Sequence, residues 1–199
     1  MKKITFLGAG STVFTKNVLG DCMTVDALQG FEFALYDIDE QRLEDSERML
    51  NNLKSNLNAG VTIRAYHNRK EALHDAKYVI NAIQVGGYDP ATITDFEVPK
   101  QYGLRQTIAD TLGIGGIFRN LRTIPVMQAF AQDMKEVCPD AWFLNYTNPM
   151  AVLTNIMLQE GIKTVGLCHS VQVCANDLLM SLDMPTDGIQ HKIAGINHM

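Results

Sequence analysis

Residues 164–171 read "TVGLCHSV" and residues 195–199 read "GINHM". Cys168, His169 and His198 are residue types that bind borderline or soft metal ions. Singly, each has an ordinary explanation: a small buried thiol, a histidine at a helix entry, a satisfied imidazole. Together, Cys168 and His198 read as one thiolate and one imidazole on a shared divalent cation. A structural zinc takes about four protein ligands. A two-ligand set therefore leaves positions open for water or substrate oxygens. Mixed nitrogen and sulfur ligation alone points to zinc, and spacing does not settle the metal.

A second stretch can hold phosphate. "GAGS", residues 8–11, follows a short apolar run and opens a helical pattern. Gly8 permits a tight turn, and Gly10 lets backbone approach a pyrophosphate. Ser11 and Thr12 stand where a helix N-terminus offers free N–H groups and the positive end of its dipole. The third glycine of the G-x-G-x-x-G pattern is replaced by Val13, which loosens the expected helix–strand contact. The run "FALYDID" then ends a second apolar stretch at Asp37. A carboxylate there accepts from an adenosine ribose hydroxyl and repels a 2′-phosphate, which favours NAD over NADP. Asp39 is the rival acid, and is also placed to cap the next helix.

These residues need a scaffold, and the apolar pattern supplies one. Strands are expected at Lys3–Leu7, Phe31–Tyr36, Val61–Tyr66, Tyr78–Ile83, Trp142–Tyr146 and Thr164–Cys168. Helices are expected over 13–28, 39–58, 70–76 and between Pro149 and Gly161. Leu43, Leu50, Leu53 and Leu57 line one face of the second helix. Strand and helix in alternation mean an α/β, doubly wound parallel sheet of Rossmann type. Residues 86–124 break the rhythm with Gly86, Gly87, Pro90, Pro99, Gly103, Gly113, Gly115 and Gly116, and read as an irregular site loop. Within it, Gly86 and Gly87 let backbone approach the nicotinamide ribose, or else form a simple turn. Arg119 and Arg122 reach a pyrophosphate or a substrate carboxylate, or else form helix-face ion pairs. Asp110 reads as structural and Trp142 as core.

Bulk properties narrow the classes. The chain has 199 residues, is 46% hydrophobic and carries a net charge of −5. That length supports one sizeable core, or one domain and the start of another. With no basic block, nucleic acid and anionic membranes are poor partners. No apolar stretch approaches the roughly 20 residues of a membrane span, and the apolar start is broken at Gly8. The expected setting is cytoplasmic. Cys22, Cys138, Cys168 and Cys174 lack paired zinc spacing and are expected to be free thiols, most of them buried.

Five motifs in order now resemble a known family: "GAGS", "GIGGIFRNLRTIP" (113–125), "NYTNP" (145–149), "GLCHSV" (166–171) and "GINHM". They look like glycoside hydrolase family 4, an NAD-dependent exception to hydrolysis by two carboxylates. The "CHSV" form most resembles its α-galactosidase branch, with an α-galacturonidase as closest competitor. The resemblance implies a fold like that of lactate and malate dehydrogenases. It also implies NAD and a divalent cation, usually manganese, with Cys168 and His198 as metal ligands and Asn148 near sugar hydroxyls. The position after the metal cysteine is an aspartate in the phospho-glucosidase branch, assigned there as an acid. Here it is His169, read either as the acid or as a residue that selects the sugar. The implied chemistry is redox-assisted: hydride passes from sugar C3 to NAD and the C2 proton is lost beside the metal. The C1 oxygen then leaves, water adds, and the steps reverse. The partner is a small glycoside, and the family implies a homo-oligomer.

Three other readings stand beside this one. An NAD-dependent hydroxy-acid or polyol dehydrogenase would want a catalytic histidine paired with an aspartate, for which no convincing motif is present. An inactive NAD-binding fragment is the other alternative, besides the α-galacturonidase. The family's catalytic base is a tyrosine with no counterpart by motif here, so it is expected beyond Met199. The expected organisation is an NAD-binding domain over 1–188, then over 189–199 the first strand of a substrate domain.

Overall fold

The computed structural model describes residues 2–108 and 110–198. Its strands are β1 (Lys3–Leu7), β2 (Glu32–Tyr36), β3 (Thr62–Tyr66), β4 (Ala76–Asn81), β5 (Trp142–Asn145) and β6 (Thr164–Gly166). They form one parallel sheet in the order β3-β2-β1-β4-β5-β6. The chain winds outward from β1 in one direction, then restarts at β4 and winds in the other. The connections after β1 and β4 therefore diverge, and a crevice opens between them at the carboxyl edge of the sheet.

Both faces of the sheet are covered, as parallel sheets require. Helices α1 (Thr12–Met23) and α2 (Glu40–Leu57) cover one face, and α3 (Arg69–Leu73), α5 (Gly113–Val137) and α6 (Met150–Gln159) the other. The alternation of strand side chains assigns each residue its face. Ile4 and Phe6 point into a core with Leu19, Phe33, Leu43 and Leu50. Leu7 and Val79 point into a second core with Met127, Phe130, Phe143 and Leu153. On α2, Asp39 Oδ1 accepts the Arg42 N–H at 3.1 Å, the N-cap bond its position predicts. Leu43 and Leu50 are fully buried as expected, whereas Leu57 on the last turn is 44% exposed.

The largest departure from expectation lies over 86–124. It is mostly helical: a wide turn over Gly87–Thr92 leads into α4 (Ile93–Gln101), and Gly113 already begins the 25-residue α5. Glycine and proline density misread this stretch. Gly116 is small because α5 starts against a neighbouring loop: a Cβ there would lie 2.8 Å from the Thr111 carbonyl carbon. Farther along α5, Met127, Phe130, Ala131 and Met134 repeat at helical spacing and are buried.

Smaller corrections follow from where backbone pairing stops. The expected helix over 13–28 ends at Met23, and Asp26–Leu28 forms a single 3₁₀ turn. The fourth strand starts at Ala76 rather than Tyr78 and ends at Asn81. The sixth strand closes at Gly166, leaving Cys168 two residues past it. Trp142 is 44% exposed and its neighbour Phe143 is buried, the phase that a period of two imposes. Cys174 is exposed while Cys138 is buried. Helix α7 (Ser170–Ser181) follows β6; residues 189–194 have no regular structure and 195–198 form a bend and a turn, where a strand is expected from sequence. No helix among the described residues is long and apolar enough to cross a membrane.

Leu43→Ala removes a fully buried side chain from the α2 core. It is expected to cost about 3 kcal/mol in urea denaturation, whereas Leu57→Ala shifts the midpoint little.

Candidate functional site

The turn after β1 is built around positive φ. Gly8 sits at φ +87, and a Cβ there would lie 2.8 Å from the Ala82 carbonyl group. The Gly8 and Ala9 N–H groups both donate to the Tyr36 carbonyl, at 3.0 and 3.1 Å. Ala9 O in turn accepts from Thr15 Oγ1 at 3.0 Å and Ser46 Oγ at 2.7 Å. The loop is thus tied to β2, α1 and α2 before any ligand arrives. Ser11 and Thr12 stand at the start of α1. Val13, where the pattern wants glycine, is 74% exposed and points away from the sheet.

Asp37 has a second duty that its motif did not reveal. Its Oδ2 accepts the Gly10 N–H at 2.7 Å and its Oδ1 accepts the Asp39 N–H at 3.0 Å. The carboxylate therefore fixes the glycine turn, and its remaining lone pairs are what a ribose hydroxyl could use. Between the rival acids, Asp39 is committed to capping α2 and Asp37 faces the turn.

A cleft of about 310 Å³ occupies the crevice between the diverging connections. Ser11 and Phe14 line it from the β1 side and Ala82, Ile83 and Gln84 from the β4 side. Tyr146, Thr147 and Asn148 follow β5, and Cys168, His169 and His198 close the far end. The loop after β5 is held from beneath. Buried Asn81 donates from Nδ2 to Asn145 Oδ1 at 2.9 Å and to Thr147 Oγ1 at 3.0 Å, and Thr147 Oγ1 donates to the Ile83 carbonyl at 3.0 Å. Tyr146 meets Phe14 edge-on, with ring centroids 4.9 Å apart.

At the far end, Cys168 Sγ lies 3.3 Å from His198 Nε2. Two ligands at ordinary metal–sulfur and metal–nitrogen bond lengths, at angles between square and tetrahedral, stand about 3.1–3.6 Å apart. The observed separation fits a shared cation. Among the described residues no third His, Cys, Asp or Glu joins the pair. The sulfur is also well furnished with donors. Burial works to raise the thiol, but hydrogen bonds from the Ser170 hydroxyl, the Ser170 N–H, Asn197 and His198 outweigh it and bring it from 9.0 to about 6. Cys138 goes the other way, pushed up to about 11 by burial and then by Asp75. His198 Nδ1 and Asn197 Oδ1 are buried without a partner among the described residues.

Other sequence candidates separate. His169 is exposed and Asn148 half-buried at the cleft. Gly86 and Gly87 lie outside the cleft lining. A Cβ at Gly86 would strike that of Ala91 at 2.6 Å, while Gly87 faces open space. Gly86 thus serves packing against the turn that follows. Arg122 is taken by Asp95, which is 1% exposed and receives both guanidinium ends, at 2.8 and 2.5 Å. Arg119 lines the cleft instead, with its nearest carboxylate, Asp110, at 4.0 Å. Burial lowers the Arg119 pKa, the mark of a cation only partly compensated by its neighbours. Tyr146, Phe14, Ser170 and Asn197 were not picked out from sequence. Their signal was position: Tyr146, Ser170 and Asn197 stand inside the motifs "NYTNP", "GLCHSV" and "GINHM", and Phe14 three residues past "GAGS".

Comparison with known proteins bears on this geometry. A profile described as "Family 4 glycosyl hydrolase" matches residues 3–184. The chain belongs to that family. An alpha-galactosidase from Bacillus subtilis is 68% identical over 200 residues, which cover 100% of this chain and 46% of that protein. The chain thus spans about half the length of this family 4 relative. Among solved structures, a 6-phospho-alpha-glucosidase from gut microorganisms, in complex with NAD and glucose 6-phosphate, superimposes with a TM-score of 0.80. It is 25% identical, and the match covers 92% of this chain and 42% of that one. Malate dehydrogenase from Cryptosporidium parvum, 18% identical, matches with a TM-score of 0.64 over 92% of this chain and 51% of its own, and shares the fold. The dehydrogenase-like sheet and the family resemblance read from the sequence both hold.

Asp95→Ala leaves the Arg122 guanidinium without its buried carboxylate. The variant is expected to lose about 3 kcal/mol of stability in denaturant titrations. Asp110→Ala, at the 4.0 Å contact, is expected to lose less than about 1 kcal/mol.

Proposed function

We propose that this chain provides the NAD-binding and metal-binding part of a family 4 glycosidase acting on α-galactosides. One observation carries the reading: Cys168 and His198, 30 residues apart in sequence, meet at 3.3 Å inside the cleft at the switch point of a dinucleotide-type sheet. The high identity to an alpha-galactosidase supports a galactoside over a galacturonide. The same reading carries a small glycoside as ligand, a cytoplasmic setting and a homo-oligomeric enzyme.

Each group has a task. The Gly8–Gly10 turn and the start of α1 present N–H groups to a pyrophosphate. Asp37 braces that turn and accepts from a ribose hydroxyl. Cys168 and His198 hold a divalent cation, Mn on the strength of the family. Asn148, on a loop fixed through Thr147 and Asn81, meets sugar hydroxyls beside them. His169, exposed at the rim, contacts the sugar and either handles a proton there or selects the sugar. Arg119 meets an anionic oxygen of cofactor or substrate. When bound, NAD supplies a hydride acceptor and the cation supplies Lewis acidity, which together make a sugar C–H bond beside the oxidised carbon acidic enough to break. Gly86 and Gly87 contribute at a distance, by shaping the chain after β4.

In an enzyme containing these residues together with the catalytic base, cleavage of a nitrophenyl α-galactoside is expected to require both NAD and Mn²⁺. No net NADH accumulates, and deuterium from D₂O enters at C2. Net NADH formed in step with substrate would favour a hydroxy-acid or polyol dehydrogenase, and faster cleavage of the galacturonide an α-galacturonidase. The chain of 199 residues is itself expected to bind NAD by calorimetry. NAD binding without any turnover would favour the inactive-fragment reading.

Gly10→Ala tests the turn directly. Its Cβ would lie 2.8 Å from Asp37 Oδ2, so the brace and the phosphate approach cannot both survive. NAD affinity is expected to fall at least about tenfold while the far-ultraviolet circular dichroism stays unchanged.

A further inference from the structure

Two polar groups of one residue, a hydroxyl and an N–H, converge on the proposed metal-binding sulfur. Ser170 Oγ lies 3.1 Å from Cys168 Sγ, and the Ser170 N–H donates to the same sulfur at 3.4 Å. Ser170 is the first residue of α7, a helix of 12 residues. Its N–H is one of the amides that a helix start leaves without a carbonyl partner, and here it is directed back at residue 168. His169, at the cap position, makes no side-chain capping bond. The start of α7 is therefore used to seat a sulfur atom.

The geometry has a direction. A thiolate has no hydrogen, so the Ser170 hydroxyl must be the donor whenever the sulfur is ready to bind a cation. Both Ser170 bonds approach from the helix side, and His198 Nε2 stands 3.3 Å from the same sulfur. Without a restraint, a cysteine side chain two residues beyond the last strand has several staggered χ1 choices. With two bonds to one residue, the choice that faces His198 is held before metal arrives. Groups that orient a metal ligand in this way commonly set affinity by about 10–100-fold.

We propose that Ser170 is a positioning residue for the metal site: its hydroxyl and N–H hold the Cys168 sulfur in the orientation from which it shares a divalent cation with His198. The inference rests on the metal-binding reading above. It assigns Ser170 a role that differs from capping, since the hydroxyl acts on residue 168 rather than on the amides of its own helix.

The test is a titration of the chain with Co²⁺, whose bond to a thiolate gives a charge-transfer absorption in the near ultraviolet. Wild type, Ser170→Ala, Ser170→Thr and His198→Ala are compared, with helix content followed by circular dichroism. Ser170→Ala is expected to bind Co²⁺ at least about tenfold more weakly, with an altered charge-transfer band and unchanged helix content. Ser170→Thr keeps the hydroxyl and is expected to stay within about threefold of wild type. Equal binding by wild type and Ser170→Ala would overturn the role of Ser170 and leave the metal site standing. Equal loss in Ser170→Ala and Ser170→Thr, or loss accompanied by melting of α7, would reduce Ser170 to a structural part and overturn the proposal. No charge-transfer band in wild type, or a band undiminished in His198→Ala, would overturn the metal reading itself and this inference with it.

Discussion

The buried contact between Asn81 and Asn145 is the constraint on which the cleft depends. Each asparagine is the last residue of its strand, and both are fully buried. A buried amide is costly unless its hydrogen bonds are met. Here Asn81 Nδ2 is spent on Asn145 Oδ1 and Thr147 Oγ1, and Asn145 Nδ2 on the Thr147 carbonyl at 3.1 Å, while Asn81 Oδ1 has no partner among the described residues. An apolar pair at this place would fill the same volume but would not dictate where two connections leave the sheet. The amides do: they fix the loop after β5 relative to the loop after β4, and those two loops form the floor of the crevice. What happens at Asn148 and at the cysteine–histidine pair is downstream of that register.

Most of the architecture was written in patterns that sequence reads well. Short apolar strands, a capped amphipathic α2 and the glycine turn all follow from local chemistry, and the parallel order follows from alternation. What was misread was punctuation. Between Gly86 and Pro125, glycine and proline marked close packing and turns within helices, and density alone cannot tell that from an irregular loop. The repeat Met127, Phe130, Ala131, Met134 carries a legible helical period, whereas the glycines at the start of α5 carry the opposite local signal. Trp142 went wrong for a different reason. Its size argued for the interior, while strand phase, fixed by Phe143 next to it, argued for the outside and prevailed.

The site was legible to the extent that it is made of unusual residue types. A cysteine and a histidine with no structural reason to coincide are conspicuous, and they do meet. The residues that condition them are common ones. Ser170, Asn197 and Thr147 become informative only when distances are known, because a serine two places after a cysteine is ordinary until its hydroxyl faces the sulfur. Arg119 and Arg122 make the same point from the side of charge. They are three residues apart and equivalent as text, but Asp95 is buried against only one of them, and this leaves the other facing the cleft.

The placement of Trp142 has a practical meaning. It is the only tryptophan in the sequence and opens β5, whereas the crevice lies past Asn145 at the other end of that strand. Its indole is half in water at the amino edge of the sheet. Intrinsic fluorescence of this chain therefore monitors the integrity of the fold at the pole remote from the chemistry. A colourless ion or an oxidised dinucleotide entering the crevice would leave that emission largely as it was, so occupancy has to be followed by a signal that originates at the sulfur or in the ligand.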